Sequence, residues 1–123
     1  MNNSMYSRKN TARAERLQRR LDAGSVATHY PEVASIVVSM MYTQKGVQKS
    51  LPRNVYFSPS SYALFRIDCL NKECVDGGFD FTQVITGMIR NRRVTSKGNL
   101  SCEGDGPSAD HATIDFEVVI QYV

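Results

Sequence analysis

"ATIDFEVVIQYV", residues 112–123, alternates: Ile114, Phe116, Val118, Ile120 and Tyr122 fall on one side, Thr113, Asp115, Glu117 and Gln121 on the other. A period of two with one apolar and one polar face marks a half-buried strand in an antiparallel sheet. "VASIVVSMMYT", residues 33–43, repeats the pattern, with Ile36, Val38, Met40 and Tyr42 facing one way and Val37, Ser39, Met41 and Thr43 the other. Such a sheet must cover its apolar face with another layer. "DFTQVITGMIR", residues 80–90, supplies the cover, because Phe81, Val84, Ile85, Met88 and Ile89 recur at the spacing of an amphipathic helix. Asp80 is placed to accept from the first amides of that helix, Gln83 follows three positions on as in a capping box, and Phe79 is positioned to staple against Val84. Gly87, unfavourable inside a helix, implies a close approach on its side.

The remaining stretches are weaker. "VYF" ahead of Ser58 and Pro59 reads as a short edge strand. "SYALFRIDC" reads as a strand with Ala63, Phe65, Ile67 and Cys69 on its apolar side, and "SKGNLSCEG" as one with Leu100 and Cys102 together. "GSVATHYPE" is a break, since Pro31 pushes Tyr30 into an extended conformation. "QKGVQKSLPRN" and "EGDGPSADH" are loops by composition. The expected fold is α+β: an antiparallel sheet of about four to five strands, with a helix over about 81–93 on one face and a basic helix at the N-terminus. Polar positions such as Arg66, Asp68, Asp115 and Glu117 would form the wetted face. Two units follow, a basic helical extension over 1–24 and a single α+β domain over 33–123.

The chain of 123 residues carries a net charge of +3, and its distribution matters more than its size. Residues 1–20 hold Arg8, Lys9, Arg13, Arg16, Arg19 and Arg20 against Glu15 alone, while the rest is slightly acidic. "TARAERLQRRLDAG" reads as a helix with Thr11 as a cap and Gly24 just past its end. Its apolar stripe is only Ala14, Leu17 and Leu21, so it docks weakly if at all. Charge patterning alone makes it a solvated appendage with Glu15 paired to Arg19. The functional alternative is contact with RNA, DNA or a protein through Arg13, Arg16, Arg19 and Arg20, with a second basic run at Arg90, Arg92 and Arg93. Neither run specifies sequence readout. The glycine-aromatic pattern of an RNA recognition motif is missing around Tyr56, Phe57, Tyr62 and Phe65.

"CLNKECVDGGFDF", residues 69–81, poses the chemical question. Its glycines and Asp80 suit a turn leading into the helix, but Cys69 and Cys74 need another account. Structural zinc takes four thiolate or imidazole ligands as two pairs from two turns. Cys69 with Cys74, and Cys102 with His111 across the last loop, would give a Cys3His zinc site with no position left open for catalysis. Against it, cysteine is a small hydrophobe that packs readily into cores, which would leave a metal-free protein-interaction module. A thiol-dependent enzyme using Cys74, with His111 as its base, is the third reading, and no orienting group completes it. His29 beside Pro31 is read as an ordinary loop residue. The acidic positions do not follow a calcium loop, and no P-loop is present. The balance is a small binding or structural domain, more readily a non-enzyme, with zinc as its candidate cofactor. An odd number of cysteines, a polar start and no aliphatic run long enough for a bilayer place it in the cytoplasm, away from membranes.

Overall fold

The computed structural model describes residues 4–44, 46, 50–69, 77–102 and 112–123, and of residues 4–10 and 12 the backbone alone. Its elements are α1 (Ser4–Ala23), α2 (Val26–His29), β1 (Val33–Gln44), β2 (Ser50–Phe57), β3 (Arg66–Asp68), β4 (Gly78–Asp80), α3 (Thr82–Arg90), β5 (Thr95–Ser101) and β6 (Ala112–Tyr122). The fold is α+β, with an antiparallel four-stranded sheet in the order β2-β1-β6-β5 and a small antiparallel pair β3-β4.

The two alternating stretches form the paired centre of the sheet. Val38 lies opposite Val118, Met40 opposite Phe116 and Tyr42 opposite Ile114. All six are buried. A slip of one residue would turn Asp115 and Glu117 inward, so the burial pattern fixes the register. Each large apolar side chain removed from water contributes about 1.5–3 kcal/mol. Pro52 sits on β2, an edge strand, the place in a sheet where proline is tolerated. On the other edge, Gly98 lies opposite Phe116, and a Cβ there would come 3.0 Å from the ring.

The cover is built from α3 and the β3-β4 hairpin. Ile85, Met88 and Ile89 of α3 are buried with Phe81, and Ile67 and Phe79 bring in the hairpin. Edge-to-face rings stitch the layers together: Phe81 on Phe116 at 4.9 Å, Phe57 on Phe65 at 5.4 Å and Tyr42 on Phe79 at 6.2 Å. The Asp80 carboxylate accepts from the Thr82 amide at 2.9 Å, although Asp80 itself belongs to β4 and Phe81 occupies the cap position. At the other end the amides of Arg92 and Arg93 donate to Ile89 and Met88, a Schellman closure with Arg92 at φ 52° where glycine is usual.

Several expectations change. α1 begins at Ser4, so Thr11 lies inside it and not at its cap. Gly24, at φ +71°, ends that helix as expected. The break after it contains a short helix, capped by Ser25 and carrying the fully buried Val26. "SYALFRIDC" keeps its alternation of burial but only Arg66–Asp68 pairs as a strand, and its partner is the stretch read as a turn. Gly78 is needed there because a Cβ would sit 2.6 Å from the Ile67 carbonyl oxygen. Gly87, by contrast, has nothing within 4 Å of such a Cβ, so no close approach explains it. Arg66 and Asp68 belong to the small pair and not to the face that carries Asp115 and Glu117. α3 stops at Arg90, short of the expected 93.

Candidate functional site

Leu17 and Leu21 of α1 are 53% and 52% exposed, so these two leucines do not fasten it to the sheet. Among the described side chains, charged ones reach across. Arg16 and Arg20, one helical turn apart and therefore on one face, reach the two oxygens of Asp68 at 3.8 and 3.6 Å. From the sheet side, Arg53 donates through Nη1 to the Asp68 carbonyl at 3.2 Å. Arg66 stands two residues earlier on the same short strand.

All of them but Arg16 border a cleft of about 340 Å³ between α1, the edge strand β2 and the segment 61–68. Arg20, Arg53, Arg66, Tyr56 and Tyr62 line it, and Asp68 is the sole carboxylate among its described lining residues. Tyr56 and Tyr62 are 66% and 44% exposed. Both stand on backbone that is fixed. Tyr56 is paired with Val37 in the sheet, and Tyr62 bridges to Ser25 while the neighbouring Ala63 amide donates to Gly24.

The structure distributes the sequence-predicted basic residues unevenly. Arg20 lines the cleft, Arg16 pairs with Asp68 beside it, Arg13 is exposed on the same helix, and Arg19 pairs with Glu15 at 3.9 Å as the i,i+4 spacing implied. Arg90, Arg92 and Arg93 lie at the end of α3, leading into β5 at the opposite edge of the sheet from β2. Arg92 stacks over the Tyr122 ring at 4.5 Å. The two basic runs thus do not form one surface. Arg53 and Arg66 escaped sequence reasoning because one lay in an assumed loop and the other on an assumed wetted face. The available signal was Arg53 in an inward slot of a strand, two residues before Val55 and four before Phe57.

The cysteines divide differently. Cys102 is buried, and its amide donates to Ala112, itself opposite Gln44 in the sheet. Cys69 packs against the core, its sulfur 3.6 Å from the Tyr42 hydroxyl. Both therefore lie at the end of the inner face where β1 finishes. Cys74 and His111, the other two members of the expected zinc set, lie outside the described residues. Among the described residues no three of His, Cys, Asp and Glu come together in a way that could hold a metal ion. His29 ends α2, exposed, with its ring 6.4 Å from that of Tyr30. No helix among the described residues is long and apolar enough to cross a membrane.

Comparison with protein-family models, with curated proteins and with solved structures finds no match for this chain. The class is therefore defined by fold alone, a small α+β domain whose charge gathers between a helix and a sheet edge.

Proposed function

We propose that the chain is a small, non-enzymatic binding domain of the cytoplasm that engages nucleic acid through the basic face of α1. The observation that carries this reading is the convergence of Arg16, Arg20 and Arg53 on Asp68, with Arg66 beside them. Asp68 is the one carboxylate among the described residues lining the cleft, and arginine is the side chain best suited to phosphate oxygens. Arg13 extends the positive face along α1. A polyanion gains affinity from each counterion released, so binding must weaken steeply with salt.

The test uses the full chain with Arg13, Arg16, Arg19 and Arg20 all changed to Gln, and a fluorescein-labelled oligouridylate titrated at several salt concentrations. Weaker binding with a shallower salt slope supports the reading. Unchanged affinity and slope would leave α1 as a protein-docking helix or a solvated appendage.

A structural zinc is the second reading, favoured by one specific observation: Cys69 and Cys102 lie at the same end of the inner face. Cys74 and His111 would complete a closed tetrahedral set whose role is to cross-link two turns. The thiol-enzyme reading requires Cys74 to titrate well below an ordinary thiol, which alkylation rates measured against pH would reveal.

A further inference from the structure

We infer that the open face of the four-stranded sheet receives α1 of a second copy of this chain, with Arg13 meeting Asp115 while Leu17 and Leu21 cover the apolar patch beside it. The inference goes beyond the nucleic-acid reading and does not rest on it. One face of the sheet lies under α3 and the β3-β4 hairpin, and strand alternation turns the remaining side chains to the other. Tyr56 is among them. Its backbone borders the basic cleft, but Arg53 and Phe57 face the cover, so its ring points the opposite way. The register then sets Tyr56, Val37 and Val119 in one row of the open face, and Pro52, Met41 and Asp115 in another.

This face is partly apolar and carries more acid than base. Tyr56 and Met41 are 66% and 42% exposed. Between the two rows, above the small Ser39, opens a groove of about 370 Å³ that Met41, Asn54 and Glu117 border. The charged side chains of the face among the described residues are Asp115, Glu117 and Lys97. Lys97 pairs with Glu117 at 3.8 Å, whereas Asp115 is exposed and makes no ion pair among the described residues.

α1 carries the complement. Arg13, Leu17 and Leu21 follow at four-residue intervals along one exposed stripe. That stripe is about 12 Å long at 1.5 Å per residue. From Asp115 to Val119 along β6 is about 14 Å. A helix laid along the strand with Arg13 over Asp115 therefore brings Leu17 over the Ser39 groove and Leu21 to the row of Val119, Val37 and Tyr56. The helix cannot serve its own sheet in this way, because Arg16 and Arg20 hold it to Asp68, which belongs to the cover. Arg16 and Leu17 are consecutive, as are Arg20 and Leu21, so the two contacts leave α1 about 100° apart and coexist.

Charge selects this pairing over the other ways two copies could meet. Two open faces stacked together would set acid against acid, and two α1 helices would set arginine against arginine. Helix on sheet joins opposite charges. The surfaces differ, so two copies exchange helices or further copies add head to tail. So short a stripe makes a small interface of the weak, transient class.

The experiment is analytical ultracentrifugation of the full chain at low salt over a range of concentrations. The weight-average mass of the parent should rise with concentration and fall back when salt is raised. Leu17→Gln combined with Leu21→Gln should weaken association roughly tenfold or more. Arg13→Glu and Asp115→Arg should each weaken it about threefold to fivefold, and the double variant carrying both should recover the parent's association. Arg90→Glu makes the same charge change at the end of α3 and should have no effect. Circular dichroism melting of each variant checks that the fold is intact. A parent that stays monomeric throughout overturns the inference, as does association that the leucine variant leaves unchanged. Failure of the double variant to recover, or an Arg90→Glu loss equal to that of Arg13→Glu, would reduce the effect to net charge and overturn it too. Stronger association of Arg13→Glu would point instead to α1 pairing with α1.

Discussion

The hydroxyl of Tyr122 donates to the carbonyl of Arg93 at 2.8 Å, and the same proton is shared with the Met88 carbonyl at 3.1 Å. The last strand is thereby tied to the end of α3 at the point where Arg92 crosses the ring. Burial raises the Tyr122 pKa above its ordinary 10.0, with the Arg92 charge opposing and Glu32 adding to the rise. A phenol whose folded pKa is raised stabilises the fold fully below the ordinary value, and that contribution is lost as pH climbs through the raised one.

Tyr122→Phe should therefore cost about 1 kcal/mol at neutral pH, the net worth of a hydrogen bond, while the ring stays in place beneath Arg92. It should also flatten the fall in stability above pH 10.0, because the ionising group is gone. Urea unfolding of both proteins across the alkaline range measures both effects. An equal alkaline decline in the two would mean that another group is responsible.

The glycines of the cover make opposite predictions. Gly87→Ala adds a methyl group into open space within α3 and should stabilise by up to about 1 kcal/mol, from helix propensity and a less flexible unfolded chain. Gly78→Ala forces a Cβ against backbone and should cost about 1–3 kcal/mol, as overpacking does elsewhere. Thermal melts of the pair decide the matter, and a destabilised Gly87→Ala would reveal a contact that the fold does not show.

What could be read in the sequence follows from how local each signal is. The faces of β1 and β6 and the apolar stripe of α3 were legible because alternation and 3.6-residue periodicity report burial directly, and burial is what organised them. The β3-β4 pair was not, because three residues are too few for a period and Gly78 answers a contact with Ile67, eleven positions away in the chain. Arg92 at φ 52° ends α3 without the glycine that usually signals such a turn, so the helix was expected to run longer. The helical side of the basic cluster around Asp68 was legible, since Arg16 and Arg20 share a helical face. Arg53 and Arg66 join it only through tertiary packing around Asp68, and no local pattern carries that.

Cys102 separates the metal and core readings. Its side chain is 2% exposed, so Cys102→Ser buries a hydroxyl and should cost about 1–3 kcal/mol whether or not metal binds. The discriminating quantity is the chelator response. If zinc cross-links the two turns, the parent chain should carry about one zinc by elemental analysis and lose thermal stability in EDTA, while Cys102→Ser carries none and ignores EDTA. A metal-free parent indifferent to chelator would leave both cysteines as packing residues.

The docking of α1 makes the last prediction. Its leucines Leu17 and Leu21 face water, so among the described side chains the pairs from Arg16 and Arg20 to a partly exposed Asp68 are the contacts that tie it down. Pairs of this kind contribute at most about 1 kcal/mol each and are screened by salt over about 10 Å at 0.1 M. Asp68→Asn should consequently leave the melting temperature of the sheet nearly unchanged while α1 detaches. Trypsin reports this directly, because Arg13, Arg16, Arg19 and Arg20 are its cleavage sites. Cleavage within α1 should accelerate several-fold in Asp68→Asn, and in the parent it should accelerate similarly when salt is raised to about 0.5 M. Once salt has screened the pairs, parent and variant should be cut at the same rate. A parent helix that remains protected at high salt would mean that contacts other than these ion pairs fasten it.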